Sequence, residues 1–179
     1  MKKGLFLFFI TVLFYSCQSG NTLKTVTIED RYSISVPSFL SEGSNLNPVA
    51  SLQYQNVWKE FYVIVIDESK SELHEALSQT NRAEIYSNDL KGYSELLING
   101  FEQGVSVIHK SEPIDTLINN MPAKLLTISG QVNGIDIFYS IAFIEGEHQY
   151  YQIMVWTLLE KKNQFEDLMS EVIHSLVEL

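Results

Sequence analysis

Hydrophobic positions along the chain change period twice, dividing it into strands, a helical middle and strands again. Thr25–Ile28 and Tyr32–Val36 flank a polar Glu29-Asp30-Arg31 turn, and Tyr32, Ile34 and Val36 alternate with Ser33 and Ser35. That period of two belongs to a half-buried strand, and Pro37 ends it because proline has no N–H to donate to a ladder. Phe39–Pro48 carries serine, glycine, asparagine and proline and reads as a loop. Ala50–Gln55 alternates again, with Leu52 and Tyr54 on one face. The run Trp58–Ile66 then becomes apolar on both faces, so each side of its sheet needs a cover.

The period lengthens after Asp67–Ser71, which offers helix-capping residues ahead of a short helix or turn at Glu72–Gln79. A longer helix is expected over Asp89–Gln103, with Leu90, Tyr93, Leu97 and Phe101 as its apolar stripe. Gly92 and Gly100 interrupt it at about 1 kcal/mol each against alanine. Strands return at Val105–His109, Ile114–Ile118, Ala123–Val132, Ile135–Glu145 and Gln149–Thr157. Asn119-Asn120 marks one turn, because asparagine tolerates positive φ, and Asn133-Gly134 marks a tight hairpin. Ile135–Glu145 and Gln149–Thr157 are both apolar on two faces, as where Ile137, Tyr139, Ile141 and Phe143 oppose Phe138, Ala142 and Ile144, so both strands should be central. A closing helix is expected from Glu160 to Val177, striped by Phe165, Leu168, Met169, Val172 and Leu176. Asn163 and Glu166 have the spacing of a capping box there. The pattern predicts one α+β domain over residues 25–179: a twisted antiparallel sheet sandwiched by helices.

Composition adds a location. Lys2 and Lys3 precede an apolar run, Leu5–Tyr15, broken only by Thr11 and closed by Ser16-Cys17. Eleven residues cannot cross a bilayer, which needs about 20. Charge, apolar core and small residue in that order describe an export signal over residues 1–16. Cysteine directly after the small residue resembles a bacterial lipoprotein signal, which implies lipid attachment at Cys17 and a tether through residue 24. The bulky Phe14-Tyr15 pair resembles the relaxed signal of Bacteroidota lipoproteins. Surface-export signals of those lipoproteins are typically acid-rich after the cysteine, and acidic residues do not follow Cys17, so the resemblance implies a place at the outer membrane, facing the periplasm. Cys17 is the single cysteine, and its solitary thiol is accounted for if it carries lipid.

The formal net charge is −10, and loss of Lys2 and Lys3 with the signal takes it to about −12. Such a body repels phosphate backbones, which argues against nucleic acid as a partner. It should also stand off anionic lipid on its tether. An apolar share of 45% is that of a folded domain and not a disordered chain.

Tyr32-Ser33-Ile34-Ser35-Val36-Pro37, Asn119-Asn120-Met121-Pro122-Ala123, the Asn133-Gly134 hairpin, Tyr150-Tyr151-Gln152-Ile153 and Ile173-His174-Ser175-Leu176 together resemble the PsbP-like fold, especially its DcrB-like bacterial lipoprotein branch. The family often has glycine before the Pro122-Ala123 equivalent, where this chain has Asn120-Met121. Asparagine meets the same backbone need. The resemblance implies an antiparallel sheet between helices and no reaction. It also implies an accessory role, since relatives assist assembly or binding in photosystem II, nuclear transport and bacterial envelopes.

Motifs for chemistry stop short. His74-Glu75-Ala76-Leu77-Ser78 follows the zinc-protease helix pattern until serine replaces the second histidine, and one histidine does not hold the zinc. Asp67–Ser71 opens like a calcium loop but lacks the glycine at its sixth position and the glutamate at its twelfth. His109 with Glu112 and Asp115, and His148 with Glu145 and Glu147, are loose metal candidates better read as solvated turn residues. Glu166-Asp167 reads as a charged helix face, and no nucleophile elbow or phosphate loop is present. Trp58, Trp156 and Tyr151 are the remaining lead, as a partner patch or as core. The expectation is therefore a non-catalytic, membrane-anchored accessory that binds an envelope protein, with no cofactor. The alternative is a solute- or metal-binding lipoprotein.

Overall fold

The computed structural model describes residues 22–179; the export signal, Cys17 and most of the tether lie outside them. The first hairpin joins β1 (Leu23–Ile28) to β2 (Tyr32–Pro37), turning through Glu29 and Asp30 at positive φ. Next come β3 (Ser41–Glu42), β4 (Leu52–Asn56) and β5 (Phe61–Ser69), then α1 (Lys70–Gln79) and α2 (Leu90–Glu102). Asp89 caps α2 by accepting the Gly92 N–H at 2.9 Å, which satisfies one of the unpaired donors at a helix start. The second half holds β6 (Ser106–Lys110), β7 (Ile114–Ile118), β8 (Met121–Val132), β9 (Ile135–Glu145) and β10 (Gln149–Leu158). A single 3-10 turn at Leu159–Lys161 leads into α3 (Lys162–His174), and β11 (Val177–Glu178) follows.

Eight strands pair antiparallel in the order β3-β4-β5-β10-β9-β8-β6, with β7 also against β8 further along. The doubly apolar strands β5, β10 and β9 stand at its centre, as their sequences require. On one face Phe61, Val63, Val65, Phe138, Ala142, Ile153 and Val155 pack against the α3 stripe of Phe165, Leu168, Met169 and Val172. On the other, Ile141, Phe143 and Tyr150 meet Leu90, Tyr93 and Ile98 of α2. Adjacent residues of one strand thus serve opposite cores, the consequence of a side-chain period of two.

The α3 face has a cover the periodicity did not announce. β1, β2 and β11 form a second, three-stranded sheet lying beside α3, and Tyr32, Ile34 and Val36 of β2 are wholly buried in the same core. The closing helix therefore ends at His174, short of the expected Val177, because Val177 and Glu178 pair with Ser33 and Tyr32 of β2. Asn119, at positive φ between β7 and β8, holds that end by donating from Nδ2 to the Leu176 carbonyl at 2.6 Å. The capping box expected at Asn163 and Glu166 does not form: α3 grows out of the 3-10 turn, so its start is Lys161 and no side chain caps it. The loop reading of Phe39–Pro48 also misses β3, whose two residues pair with Gln55 and Tyr54. Asn133-Gly134 turns as its sequence predicts, with φ of 51° and 81°.

Candidate functional site

The three aromatics singled out in the sequence are scattered. Tyr151 and Trp156 are an odd number of residues apart on β10, so they point to opposite faces. Tyr151 is wholly buried on the α3 face, edge-on to Tyr32 at 5.5 Å between centroids. Trp156 is half-buried on the α2 face and stacks on Tyr62 at 5.2 Å. Trp58 is in neither core: it is 91% exposed in the turn between β4 and β5. Two of the three are therefore core and one is surface.

The histidine and acid candidates also separate. His74 is exposed on α1. Asp115 is engaged by Lys124, and Glu145 by Lys70 at 2.7 Å, which leaves His109 and Glu112 exposed without it and His148 with Glu147 alone, 3.6 Å away. His174 uses Nδ1 against the Ser170 carbonyl at 2.8 Å. Glu166 lies 3.7 Å from Lys162, and Asp167 is exposed beside it. Among the described residues no three His, Cys, Asp or Glu side chains converge as a metal site. Cys17 lies outside the described residues.

A polar cleft of about 350 Å3 lies where β11 meets the β9–β10 turn, lined by Arg31, Glu147, His148, Tyr151 and Glu178. Its charges are largely spent on one another. Arg31 is paired with Asp67, whose side chain is only 3% exposed. The Tyr151 hydroxyl donates to Glu178 Oε1 at 2.9 Å, and the Glu147 N–H donates to Oε2 at 2.8 Å. Burial, with the Glu178 carboxylate beside it, pushes the Tyr151 hydroxyl well above its ordinary pKa, and burial takes Tyr32 up to about 12. Both phenols stay protonated at neutral pH, and a protonated phenol tied to a carboxylate is no base. The cleft is a clasp that holds β11 to the body.

The β6–β7 edge of the eight-stranded sheet is different. β6 is exposed along its whole length and β7 along most of its own. Ile108, Ile114 and Leu117 are 64%, 63% and 62% exposed, with Val107 beside them. β6 pairs Val107 with Gly130 but His109 with Ser129, so Ile108 is the extra residue of a bulge. Pro113 separates β6 from β7 and removes an N–H from the edge. Both devices spoil the edge as a template for strand pairing, yet they leave its apolar side chains in water. Beside Ile114 a groove of about 370 Å3 runs between this edge and α3, with Leu125 and Phe138 in its floor and Lys162 and Ser170 on its helical wall. Sequence reading placed the strands but not their exposure; Pro113 between two short runs was the signal of an edge.

Cyanobacterial PsbP (CyanoP) from Synechocystis superimposes on this architecture with a TM-score of 0.55 at 12% identity, over 92% of this chain and 98% of that one. The fold is PsbP-like. PA94 from Pseudomonas aeruginosa shares it at a TM-score of 0.50 and 14% identity, over 87% of this chain and 96% of its own. So does LpqN of Mycobacterium tuberculosis, described as involved in cell envelope biogenesis, at 0.52 and 7% identity, over 88% of this chain and 90% of its own. Neither a protein-family model nor a curated protein matches the chain by sequence. At these identities the likeness concerns the PsbP-like fold alone, and a fold of this kind hosts many functions.

Proposed function

We propose that this chain is a bacterial envelope lipoprotein of the DcrB-like kind, held to the outer membrane through lipid on Cys17 and facing the periplasm. It binds another envelope protein and catalyses no reaction. The observation that carries the binding role is the β6–β7 edge: Ile108, Ile114 and Leu117 each stand in water there, Ile114 beside the groove and Leu117 on the other face of β7. Large apolar side chains gathered along one exposed edge of a folded domain mark a place where something docks. The engaged acids support the non-catalytic reading, since Asp67, Asp115, Glu145 and Glu178 are each held by a neighbour. The description of LpqN as involved in cell envelope biogenesis provides a parallel setting on the same fold.

The test is site-specific photocrosslinking in living cells, with the reactive side chain at Ile108 or Leu117 and, as control, at exposed Glu75 on α1. The expected result is one reproducible envelope protein joined to the edge positions and not to the control. That adduct should be lost in Cys17→Ala at matched abundance. Equal labelling from all three positions would remove the edge as the docking surface. A solute-binding role, the alternative, would appear instead as a ligand-dependent rise in melting temperature.

A further inference from the structure

The turn between β4 and β5 presents Trp58, 91% exposed, with Val57 beside it at 54%. The turn is held in place: the Asn56 side chain accepts the Trp58 and Lys59 N–H groups at 3.1 and 2.9 Å, and donates to the Phe39 carbonyl at 2.8 Å. Phe39 follows Ser38, whose N–H bonds the Thr22 carbonyl at 2.7 Å. The exposed tryptophan therefore sits at the end of the molecule where the described chain begins.

That end also gathers the lysines that no acid neutralises. Lys70, Lys91, Lys110, Lys124 and Lys162 each pair with a carboxylate. Lys24, Lys59 and Lys161 have no such pair among the described residues. Lys24 donates to the Leu40 carbonyl at 2.8 Å, Lys161 to the Lys59 carbonyl at 3.2 Å, and Lys59 lies over the Phe39 ring at 5.0 Å. Three carboxylates stand at the same end: Glu42 and Glu160 are exposed, and Glu60 accepts the neutral Tyr62 hydroxyl at 2.8 Å, while Glu166 faces Lys162. Among the described residues, the lysines without a carboxylate partner thus stand around one protruding indole.

We infer that this tip docks into the headgroup region of the membrane, with Trp58 as the wedge and Lys24, Lys59 and Lys161 facing lipid phosphates. The inference rests on the anchoring at Cys17 proposed above. From Cys17 to Thr22 the chain spans at most about 17 Å, at roughly 3.5 Å per residue, so a lipidated Cys17 holds the tip within reach of the bilayer. Tryptophan favours that boundary because its ring is apolar and its N–H needs a polar partner. Lysine joins it by burying its stem and keeping its ammonium among the headgroups. The stand-off expected from net charge is relieved locally: the body is acidic as a whole, whereas at this end Lys24, Lys59 and Lys161 offset Glu42, Glu60 and Glu160.

The test uses the acylated full chain, reconstituted into phosphatidylethanolamine–phosphatidylglycerol vesicles with and without bromine on the acyl chains. Wild type and Trp58→Phe are compared, so that the difference in emission belongs to Trp58. Docking predicts that this difference shifts to the blue on reconstitution and is largely lost in brominated vesicles. If it stays unshifted, survives bromine and is quenched by acrylamide from the water, the inference is overturned and Trp58 is left as an anchor for a protein. Mass spectrometry of the same sample separates the two readings. Absence of acyl mass on Cys17 removes the anchor and this inference together, whereas an acylated chain with Trp58 in water removes this inference alone.

Discussion

The two faces of the eight-stranded sheet are closed by different means. The α3 face joins a helix and a second sheet in one core of twenty-two buried residues, running from Tyr32 to Leu176. The α2 face buries nine in its main cluster, and its helix is reached through a segment, residues 80–89, with little regular structure. One face is built from the two ends of the described chain, the other from its middle. Rigidity is concentrated on one side: the clasp, the β11 ladder and the Phe39–Phe61–Phe165 cluster all reinforce the α3 face, while Phe101 and Trp156 stay partly exposed on the α2 face.

The sharpest way to break the contrast is to hollow out each face in turn. Phe61→Ala removes a wholly buried ring packed on Phe165 at 5.1 Å and Phe39 at 5.8 Å, and should cost about 3–5 kcal/mol by urea denaturation. Phe101→Ala on the α2 side removes a half-exposed ring set against Tyr139 at 4.9 Å, and should cost about 1 kcal/mol. Equal losses would erase the distinction.

Alkali tests both faces at once. Burial lifts Tyr32, Tyr62 and Tyr150 to about 12, whereas the unfolded chain titrates at its ordinary value of 10.0. The folded state thus favours the neutral phenol, so this contribution is whole below pH 10 and is lost as pH climbs from 10 to 12. The urea midpoint should fall steeply over that interval, and a flat midpoint through pH 11 would contradict the burial.

Gly92→Ala probes the α2 entry. A Cβ there would run into the Ser87 backbone, so the variant should lose about 1–3 kcal/mol despite alanine's better helix propensity. A gain in stability would mean that the 80–89 segment yields freely. The smallest effect belongs to Tyr93→Phe. The Tyr93 hydroxyl is buried without a hydrogen-bond partner, with Glu68 near but outside bonding geometry. Its removal should leave stability unchanged or raise it by up to about 1 kcal/mol, read as a small shift in the same midpoint.

What the sequence disclosed follows from which signals are local. Strict alternation in Tyr32–Val36 and two-sided apolarity in Ile135–Glu145 report burial directly, so strand positions and central rank were legible. Turns were legible because Asn119, Asn120, Asn133 and Gly134 advertise positive φ. β3 and β11 were hidden because two residues show no period, and their pairing depends on partners up to 146 positions away, as Glu178 does on Tyr32. The same limit hid the site. Exposure of Ile108 and Leu117 follows from β6 and β7 lying outermost, a fact of strand order and not of either segment. Trp58 read as the start of an apolar strand, but Glu60 at positive φ closes the turn and leaves the indole outside.

The ladder between β11 and β2 ties the last described strand to the first hairpin. A chain threaded across a membrane amino end first would deliver Tyr32, Ile34 and Val36 long before α3 and β11 arrive to cover them. Until then that hairpin has no cover, and the larger core cannot close. Contacts so distant in sequence form slowly, and here they reward the chain only after residues 162–178 have passed. For a chain delivered in that order the topology would work as a timer: the larger core closes only when residues 162–178 arrive to cover the first hairpin.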